Sequence, residues 1–261
     1  MPICSLDNLK IAYSDRGAGP VLVLLHGFPL DSSIWDDSSE YLEQHFRVIT
    51  PDLRGFGRTA NEQPFTLESL ADDVHQLLTQ LHLAPYFLGG LSMGGYIAQA
   101  LAKKYPSDLH TLVLINTKSA ADTPEGKKGR DQMIELVRKS GSRAIAEQMF
   151  PKMIAAGSAQ SPAAKKLRLI MEACPSLTIE HALSAMRDRE DYTQLLSTFA
   201  KPILIIVGDQ DPIASPDVAR AMHAAAPKSR LAVIPSAGHM SPLEQPRAFA
   251  DTLIADLRAH R

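Results

Sequence analysis

Tyr86-Phe87-Leu88-Gly89-Gly90-Leu91-Ser92-Met93-Gly94-Gly95-Tyr96-Ile97-Ala98-Gln99-Ala100-Leu101 is the stretch that decides the fold. Tyr86, Phe87 and Leu88 read as a short buried strand ended by Gly89 and Gly90. Tyr96, Ile97, Ala98, Ala100 and Leu101 open a helical run. Between them stands a Gly-x-Ser-x-Gly motif, Gly90 to Gly94. Three fixed positions in five arise readily by chance, so the motif gains its meaning from the strand before it and the helix after it. A turn this sharp holds the serine in a strained backbone conformation and lifts its hydroxyl above the sheet edge. Side chains two residues away on either side would collide with the strand or the helix. Gly90 and Gly94 remove them, and Gly95 adds clearance. The helix N-terminus at Ser92 favours developing negative charge. Ser92 is the candidate nucleophile. The plain alternative is a glycine-rich turn that only caps a helix.

Outward from this turn, short apolar runs alternate with longer amphipathic ones, the pattern of an α/β protein with a mostly parallel central sheet flanked by helices. Residues 21–25, 47–50, 111–115, 203–207 and 231–234 predict further strands, the first of them apolar on both faces. Residues 9–13 alternate instead and suit an antiparallel edge strand paired with residues 3–6. Leu67, Leu70, Val74, Leu77, Leu78 and Leu81 recur at helical spacing behind Thr66 as N-cap, with Asp72, Asp73, Gln76 and Gln80 on the other face. Phe249, Leu253, Ile254 and Leu257 form a last apolar stripe, with Pro246 near its start.

Residues 119–200 break the alternation. They hold no strong strand signal, and their apolar residues recur in short helical segments punctuated by Pro151, Pro162 and Pro175. The expectation is a core of residues 1–118 and 201–261 and a helical lid of residues 119–200 inserted between two late strands, over the carboxyl edge of the sheet. Five of the nine methionines fall in this stretch. They suit either a pocket lining or ordinary packing between short helices.

A serine hydroxyl attacks well only when a base takes its proton, and the base needs a third group to fix its tautomer. After a nucleophile turn of this kind the partners follow in the order acid, then histidine. The run 203–207 leads into Gly208-Asp209-Gln210-Asp211-Pro212, and the run 231–234 into Pro235-Ser236-Ala237-Gly238-His239. Both place their polar residues at the carboxyl edge, where the sites of open α/β sheets gather. His239 is the candidate base. Asp209 and Asp211 both qualify as its acid; Asp211 is preferred because it lies farther into the loop, which leaves Asp209 to shape the turn. The run 21–25 leads into His26-Gly27-Phe28-Pro29, which nominates the backbone N–H groups of Phe28 and Met93 as an oxyanion hole. His26 suits loop support by hydrogen bonds. Asp52 and Arg54, in Asp52-Leu53-Arg54-Gly55-Phe56-Gly57-Arg58, suit bracing of a second loop. No phosphate-binding Gly-x-x-x-x-Gly-Lys-Ser/Thr sequence accompanies them.

Composition narrows the partners. With 27 Lys and Arg against 29 Asp and Glu, the formal net charge is −2, which offers no electrostatic reason for a nucleic acid or an anionic membrane. Cys4 and Cys174 make neither a disulfide framework nor a metal-ligand pattern. The start, Met1-Pro2-Ile3-Cys4, lacks the basic and apolar regions of a secretion signal, and the apolar run 21–25 falls far short of the roughly 20 residues that span a bilayer. A soluble, cytoplasmic protein without metal or organic cofactor is expected. Its oligomeric state stays open.

Together these motifs, continued by Gly238-His239-Met240-Ser241-Pro242-Leu243-Glu244-Gln245-Pro246, resemble the α/β-hydrolase family over essentially the whole chain. They look most like bacterial carboxylesterases, 3-oxoadipate enol-lactonases and the cofactor-free haloperoxidase or perhydrolase group. The resemblance implies a Ser92, Asp211 and His239 triad, oxyanion donors at Phe28 and Met93, and a small ester or lactone as substrate, cleaved through an acyl-enzyme. Serine at position 92 departs from the aspartate of haloalkane dehalogenases and epoxide hydrolases. Leu91-Ser92-Met93 departs from the Asn-Ser-Phe of carbon–carbon bond hydrolases. A ligand receptor that retains the triad, and a perhydrolase, lyase or synthase on the same fold, are the competing readings.

Overall fold

In strand β3 (Val21–Leu25), Leu22 and Leu24 point to one side of the sheet and Val23 and Leu25 to the other, and all four are wholly buried. Side chains of a strand alternate between faces, so a strand apolar at every position must have a core on each side. The computed structural model, which describes residues 2–259, shows both cores. The remaining strands are β1 (Ile3–Ser5), β2 (Lys10–Arg16), β4 (Arg47–Pro51), β5 (Tyr86–Leu91), β6 (Leu109–Ile115), β7 (Ile203–Gly208) and β8 (Ser229–Ile234). Among the described residues they form one sheet in the order β1-β2-β4-β3-β5-β6-β7-β8. The pairs β1–β2 and β2–β4 are antiparallel and all the others parallel.

The helices are α1 (Asp36–Leu42), α2 (Leu67–Gln80), α3 (Met93–Lys104), α4 (Pro124–Met153), α5 (Pro162–Ala173), α6 (Ser176–Arg187), α7 (Thr193–Thr198), α8 (Pro216–Ala225), α9 (Ser241–Glu244) and α10 (Pro246–Arg258). Helices α2, α3 and α8 pack with Val23, Leu25, Leu88, Leu112 and Ile205 on one face. Helices α1 and α10 pack with Leu22, Leu24, Phe87, Val113 and Ile206 on the other, around Trp35, Phe46 and Phe249. Burying each such side chain contributes roughly 1.5–3 kcal/mol. No helix among the described residues is long and apolar enough to cross a membrane.

Several local expectations change. Strand β5 does not end at Gly89 but runs to Leu91, because Gly89 and Gly90 pair with Leu24 and Leu25 of β3 and with Val113 and Leu114 of β6. Glycine here answers to crowding: a Cβ on Gly89 would lie 2.7 Å from Cδ2 of Leu24. Thr66 caps α2 as its spacing predicts, in a reciprocal box with Ser69. Asp73, assigned to the polar face of α2, is instead buried, since both its carboxylate oxygens accept from Arg54, at 2.6 and 2.7 Å. Pro151 does not punctuate the chain but lies in the last turn of α4, where few intrahelical bonds remain to be lost. The actual break in α4 is Gly141, at φ +74°.

Between β6 and β7 the described regular elements are all helical, from α4 to α7, joined by short loops and holding no strand. They dock on the rest of the chain at several points. Thr178 of α6 donates to the Gly55 carbonyl at 2.9 Å, and the Tyr192 hydroxyl lies 3.2 Å from Glu68. The buried Arg189 guanidinium stacks 4.3 Å from the Tyr96 ring and pairs with Asp122 at 2.8 Å. Met153, Met171 and Met186 are buried in the two cores, so packing accounts for these methionines.

Candidate active site

Ser92 joins β5 to α3 with φ +52° and ψ −113°, a backbone conformation that non-glycine residues rarely adopt. Hydrogen bonds on both sides hold the strained turn. The Ser92 N–H donates to the Ile115 carbonyl at 3.0 Å, and the Ser92 carbonyl accepts from the Thr117 hydroxyl at 2.7 Å and the Gly95 N–H at 2.9 Å. The flanking glycines are sterically required. A Cβ on Gly90 would lie 2.2 Å from the Gly94 carbonyl oxygen, and one on Gly94 would lie 2.3 Å from the Leu25 carbonyl oxygen. A Cβ on Gly95 would lie 2.5 Å from Oγ1 of Thr117.

The loop after β3 lies against this turn. A Cβ on Gly27 would come 3.2 Å from the Cβ of Ser92, so the peptide leading to Phe28 passes beside the serine side chain. The Phe28 N–H meets no acceptor among the described residues, and the Met93 N–H, first in α3, has no intrahelical acceptor to meet. His26 fixes the loop from behind. Its Nε2 accepts from the Leu53 N–H at 3.1 Å, which leaves the proton on Nδ1 to be donated to the Gly27 carbonyl at 2.9 Å. Complete burial holds this imidazole below the ordinary histidine range, so it stays neutral in that tautomer. Asp52 braces the same region: its oxygens accept from the N–H of Ser32 at 2.9 Å and of Arg58 at 3.0 Å.

Asp211 and His239 meet at the carboxyl ends of β7 and β8, with Nδ1 of His239 2.8 Å from Oδ2 of Asp211 and both side chains buried. Asp209 does not reach the histidine. It accepts from the Ala237 N–H at 3.1 Å and shapes the turn. The other Asp211 oxygen accepts from the N–H groups of Ile213 at 2.7 Å and Ala214 at 3.0 Å. Burial alone would raise the Asp211 carboxyl. The charge and hydrogen bond of His239, with the donors Asn116 and Ala214, outweigh it and hold the carboxyl at about 2. An ionised Asp211 requires the His239 proton on Nδ1 and leaves Nε2 as the basic nitrogen.

Three further residues join the site: Asn116, Thr117 and Ser241. Asn116, at φ +44°, donates from Nδ2 to Oδ2 of Asp211 at 2.8 Å and to the Gly238 carbonyl at 3.3 Å, and its Oδ1 accepts from the Ser241 hydroxyl at 2.5 Å. Every polar atom of its amide is thereby satisfied. Asn116 and Thr117 leave only their position as a signal in the sequence, whereas Ser241 stands inside the run from Gly238 to Pro246. Asn116 and Thr117 directly follow β6 at the edge that carries the other site residues, and Ser241 lies two residues beyond His239.

Among the described residues no group of three His, Cys, Asp or Glu side chains could hold a metal ion, and Cys4 and Cys174 are free thiols. A cleft of about 290 Å³ opens between the loop after β3 and α5, lined by Pro29, Leu30, Arg58, Ile170 and Cys174 among others. Ser92 and His239 do not line it.

Comparison with known proteins agrees with this fold. The family model described as alpha/beta hydrolase fold matches residues 20–246. The AB hydrolase superfamily protein YisY of Bacillus subtilis is 31% identical over 248 residues, covering 89% of this chain and 90% of its own. A thermophilic esterase from Thermogutta terrifontis superposes with a TM-score of 0.94 at 38% identity, over 97% of this chain and 95% of the other. The enol-lactonase from Burkholderia xenovorans LB400 superposes with a TM-score of 0.90 at 26% identity, over 98% of this chain and all (100%) of the other. The expected fold class is therefore the one observed, and the chain belongs to the alpha/beta hydrolase fold family.

Proposed function

We propose that the protein is a serine hydrolase of small carboxylic esters or lactones, with Ser92 as nucleophile, His239 as general base and Asp211 as its orienting acid. The observation that carries this reading is the buried Asp211–His239 pair, held in one tautomer, on the sheet edge where Ser92 stands in its strained turn. Nε2 of His239 takes the Ser92 proton as Oγ attacks the carbonyl carbon. Asp211 stabilises the resulting imidazolium. The oxyanion is received by the N–H groups of Phe28 and Met93; donors of this kind are each worth about 3–4 kcal/mol to the transition state. His239 then returns the proton to the leaving alcohol or, in a lactone, to the opened ring oxygen. Water, activated by the same imidazole, clears the acyl-enzyme.

The similar structures support the substrate class, since one is an esterase and another an enol-lactonase by name, and both reactions are acyl transfers to water. We assign residues 119–200 the part of a lid above the site. The chain leaves β6 at the same edge, and the end of α4 returns beside His239, where the Met240 N–H donates to the Met153 carbonyl at 3.1 Å.

The test is hydrolysis of p-nitrophenyl esters of graded acyl length, and of simple lactones, by wild type and Ser92→Ala. The proposal expects turnover by wild type, labelling of Ser92 by a fluorophosphonate probe, and loss of both in Ser92→Ala. A Ser92→Ala protein with wild-type rates would end it.

A further inference from the structure

Glu244 ends α9, five residues after His239, and is partly buried. Its two carboxylate oxygens serve two different parts of the chain. Oε1 accepts from the N–H of Gly238, immediately before His239, at 2.8 Å. Oε2 accepts from the N–H of Ala155, just beyond α4, at 2.9 Å. On the other side of His239, the Met240 N–H donates to the Met153 carbonyl at 3.1 Å. Both chain neighbours of the imidazole are thus tied to residues 153–155. The two segments touch closely enough that a Cβ on Gly238 would lie 2.5 Å from the Ala155 nitrogen.

No other side chain of the His239 loop bridges in this way. Asn116 holds the Gly238 carbonyl and Asp211 holds the ring, but both belong to the sheet edge. Among the described residues, the Glu244 carboxylate is the one side chain that hydrogen-bonds across from this loop to the end of α4, beside the backbone bond from Met240 to Met153. Burial pushes this carboxyl up, so the surrounding donors are needed to keep it an acceptor at both oxygens. An amide in its place could accept at one oxygen only and would turn its own N–H groups toward another donor.

We propose that Glu244 is a positioning residue that clamps the His239 loop to the end of α4, so that the seating of helices α4–α7 sets the seating of the imidazole. The clamp deepens the reading of His239 as general base and rests on it. Its consequence is that the helical insertion acts on the chemical step, through residues 153–155, as well as on substrate entry.

Two substitutions cut the clamp from opposite ends. Glu244→Gln weakens both bonds at once. Ala155→Pro removes only the lid-side N–H: Ala155 stands at φ −57° and ψ 142°, and Ile154 before it at φ −116° and ψ 141°, values that suit proline and the residue preceding it. Each full-length variant is assayed with p-nitrophenyl butyrate for kcat and KM, with a fluorophosphonate probe for the rate of Ser92 labelling, and by thermal unfolding, beside Ser92→Ala. Folded Glu244→Gln should lose roughly tenfold or more in kcat and in labelling rate. Its KM should stay within about twofold, as befits misplacement of the base. Ala155→Pro should fall the same way, and the double variant should be no slower than the slower single. A purely structural role would lower the Tm and leave kcat and labelling unchanged wherever the protein is folded, and that result would overturn the proposal. If Glu244→Gln does not fold, Ala155→Pro decides by the same criteria. Inactive Ser92→Ala beside fully active clamp variants removes the clamp and leaves the hydrolase reading standing; fully active Ser92→Ala removes both.

Discussion

Nδ2 of Asn116 lies 2.8 Å from Oδ2 of Asp211, the same oxygen that accepts from His239. One carboxylate oxygen therefore receives a neutral donor from the residue after β6 and the ring nitrogen of the loop after β8, while the other is held by two backbone N–H groups. Three donors from two segments of the chain orient the acid before the histidine engages it.

This arrangement makes Asn116 a residue whose replacement should change a pH profile. Asn116→Asp keeps the side-chain shape and tolerates the left-handed backbone, but places a second negative charge against Asp211 and near His239. A nearby negative charge stabilises imidazolium, so the acidic limb of kcat/KM should move to higher pH, by about one unit. Asn116→Ala adds no charge. It should cost about tenfold in kcat through the lost hydrogen bond and leave the limb near its wild-type position. Measuring kcat/KM from pH 5 to 9 on both variants separates the two effects; equal limbs in wild type and Asn116→Asp would show that position 116 does not sense the histidine.

The depressed Asp211 carboxyl also sets a stability window. Its folded value of about 2 lies below the reference 3.8, so the folded state prefers the ionised form. The resulting stabilisation is fully present above the unfolded value and is lost as pH falls through about 2. A shift of this size corresponds to about 2 kcal/mol. Chemical unfolding of wild type and Asp211→Asn between pH 6 and 2 should show wild type losing about that much more than the variant, the other carboxylates being common to both. Parallel curves would refute the assignment. At neutral pH the same variant should lose roughly 10⁴-fold in kcat, because an amide no longer selects the Nδ1–H tautomer.

Much of this was legible in the chain itself, for physical reasons that differ by residue. The run Val21-Leu22-Val23-Leu24-Leu25 is apolar at every position, which only a strand buried on both faces requires, and β3 is such a strand. Thr66 and the leucines behind it report local helix geometry, and α2 begins where they place it. That residues 211 and 239 meet followed from each ending a strand at the same edge. What was not legible depends on partners remote in sequence. Asp73 reads as solvated until Arg54 is brought to it. Gly89 reads as a strand end until Leu24 is seen to leave no room for a side chain. Asn116 and Glu244 carry no periodicity, and their importance lies entirely in what the fold sets opposite them.

The glycines around Ser92 should differ sharply in tolerance. At Gly94 an added Cβ would lie 2.3 and 2.6 Å from the carbonyl oxygens of Leu25 and His26, both backbone atoms of neighbouring elements, so Gly94→Ala should fail to fold or lose well over 3 kcal/mol. At Gly27 the nearest contacts are 3.1 Å to the Leu91 carbonyl oxygen and 3.2 Å to the Ser92 Cβ. A shift of a few tenths of an ångström relieves them, and Gly27→Ala should fold with a Tm only a few degrees lower. The added methyl presses on the serine side chain and on the peptide that presents Phe28 N–H, so kcat should still fall, by roughly tenfold or more. Circular dichroism melts beside p-nitrophenyl ester kinetics check both; wild-type activity in Gly27→Ala would mean that the loop after β3 does not position an oxyanion donor.

Arg54 and Asp73 offer a prediction on stability alone. The pair is bidentate, and the two side chains are only 14% and 8% exposed. A buried ion pair offers little over apolar residues of the same size, whereas one buried charge without its partner costs about 3–5 kcal/mol. Arg54→Ala should therefore destabilise by about 3 kcal/mol or more, and Arg54→Lys by less, because a lysine ammonium cannot form the two-pronged contact. Replacing both, as Arg54→Met with Asp73→Leu, should recover most of the loss. The site residues at the carboxyl edge do not touch this pair, so kcat at temperatures where each variant is folded should stay close to wild type. Urea denaturation of the four proteins gives the comparison; a double variant as unstable as Arg54→Ala would show that the ion pair, and not the avoidance of a stranded carboxylate, anchors α2 to the loop after β4.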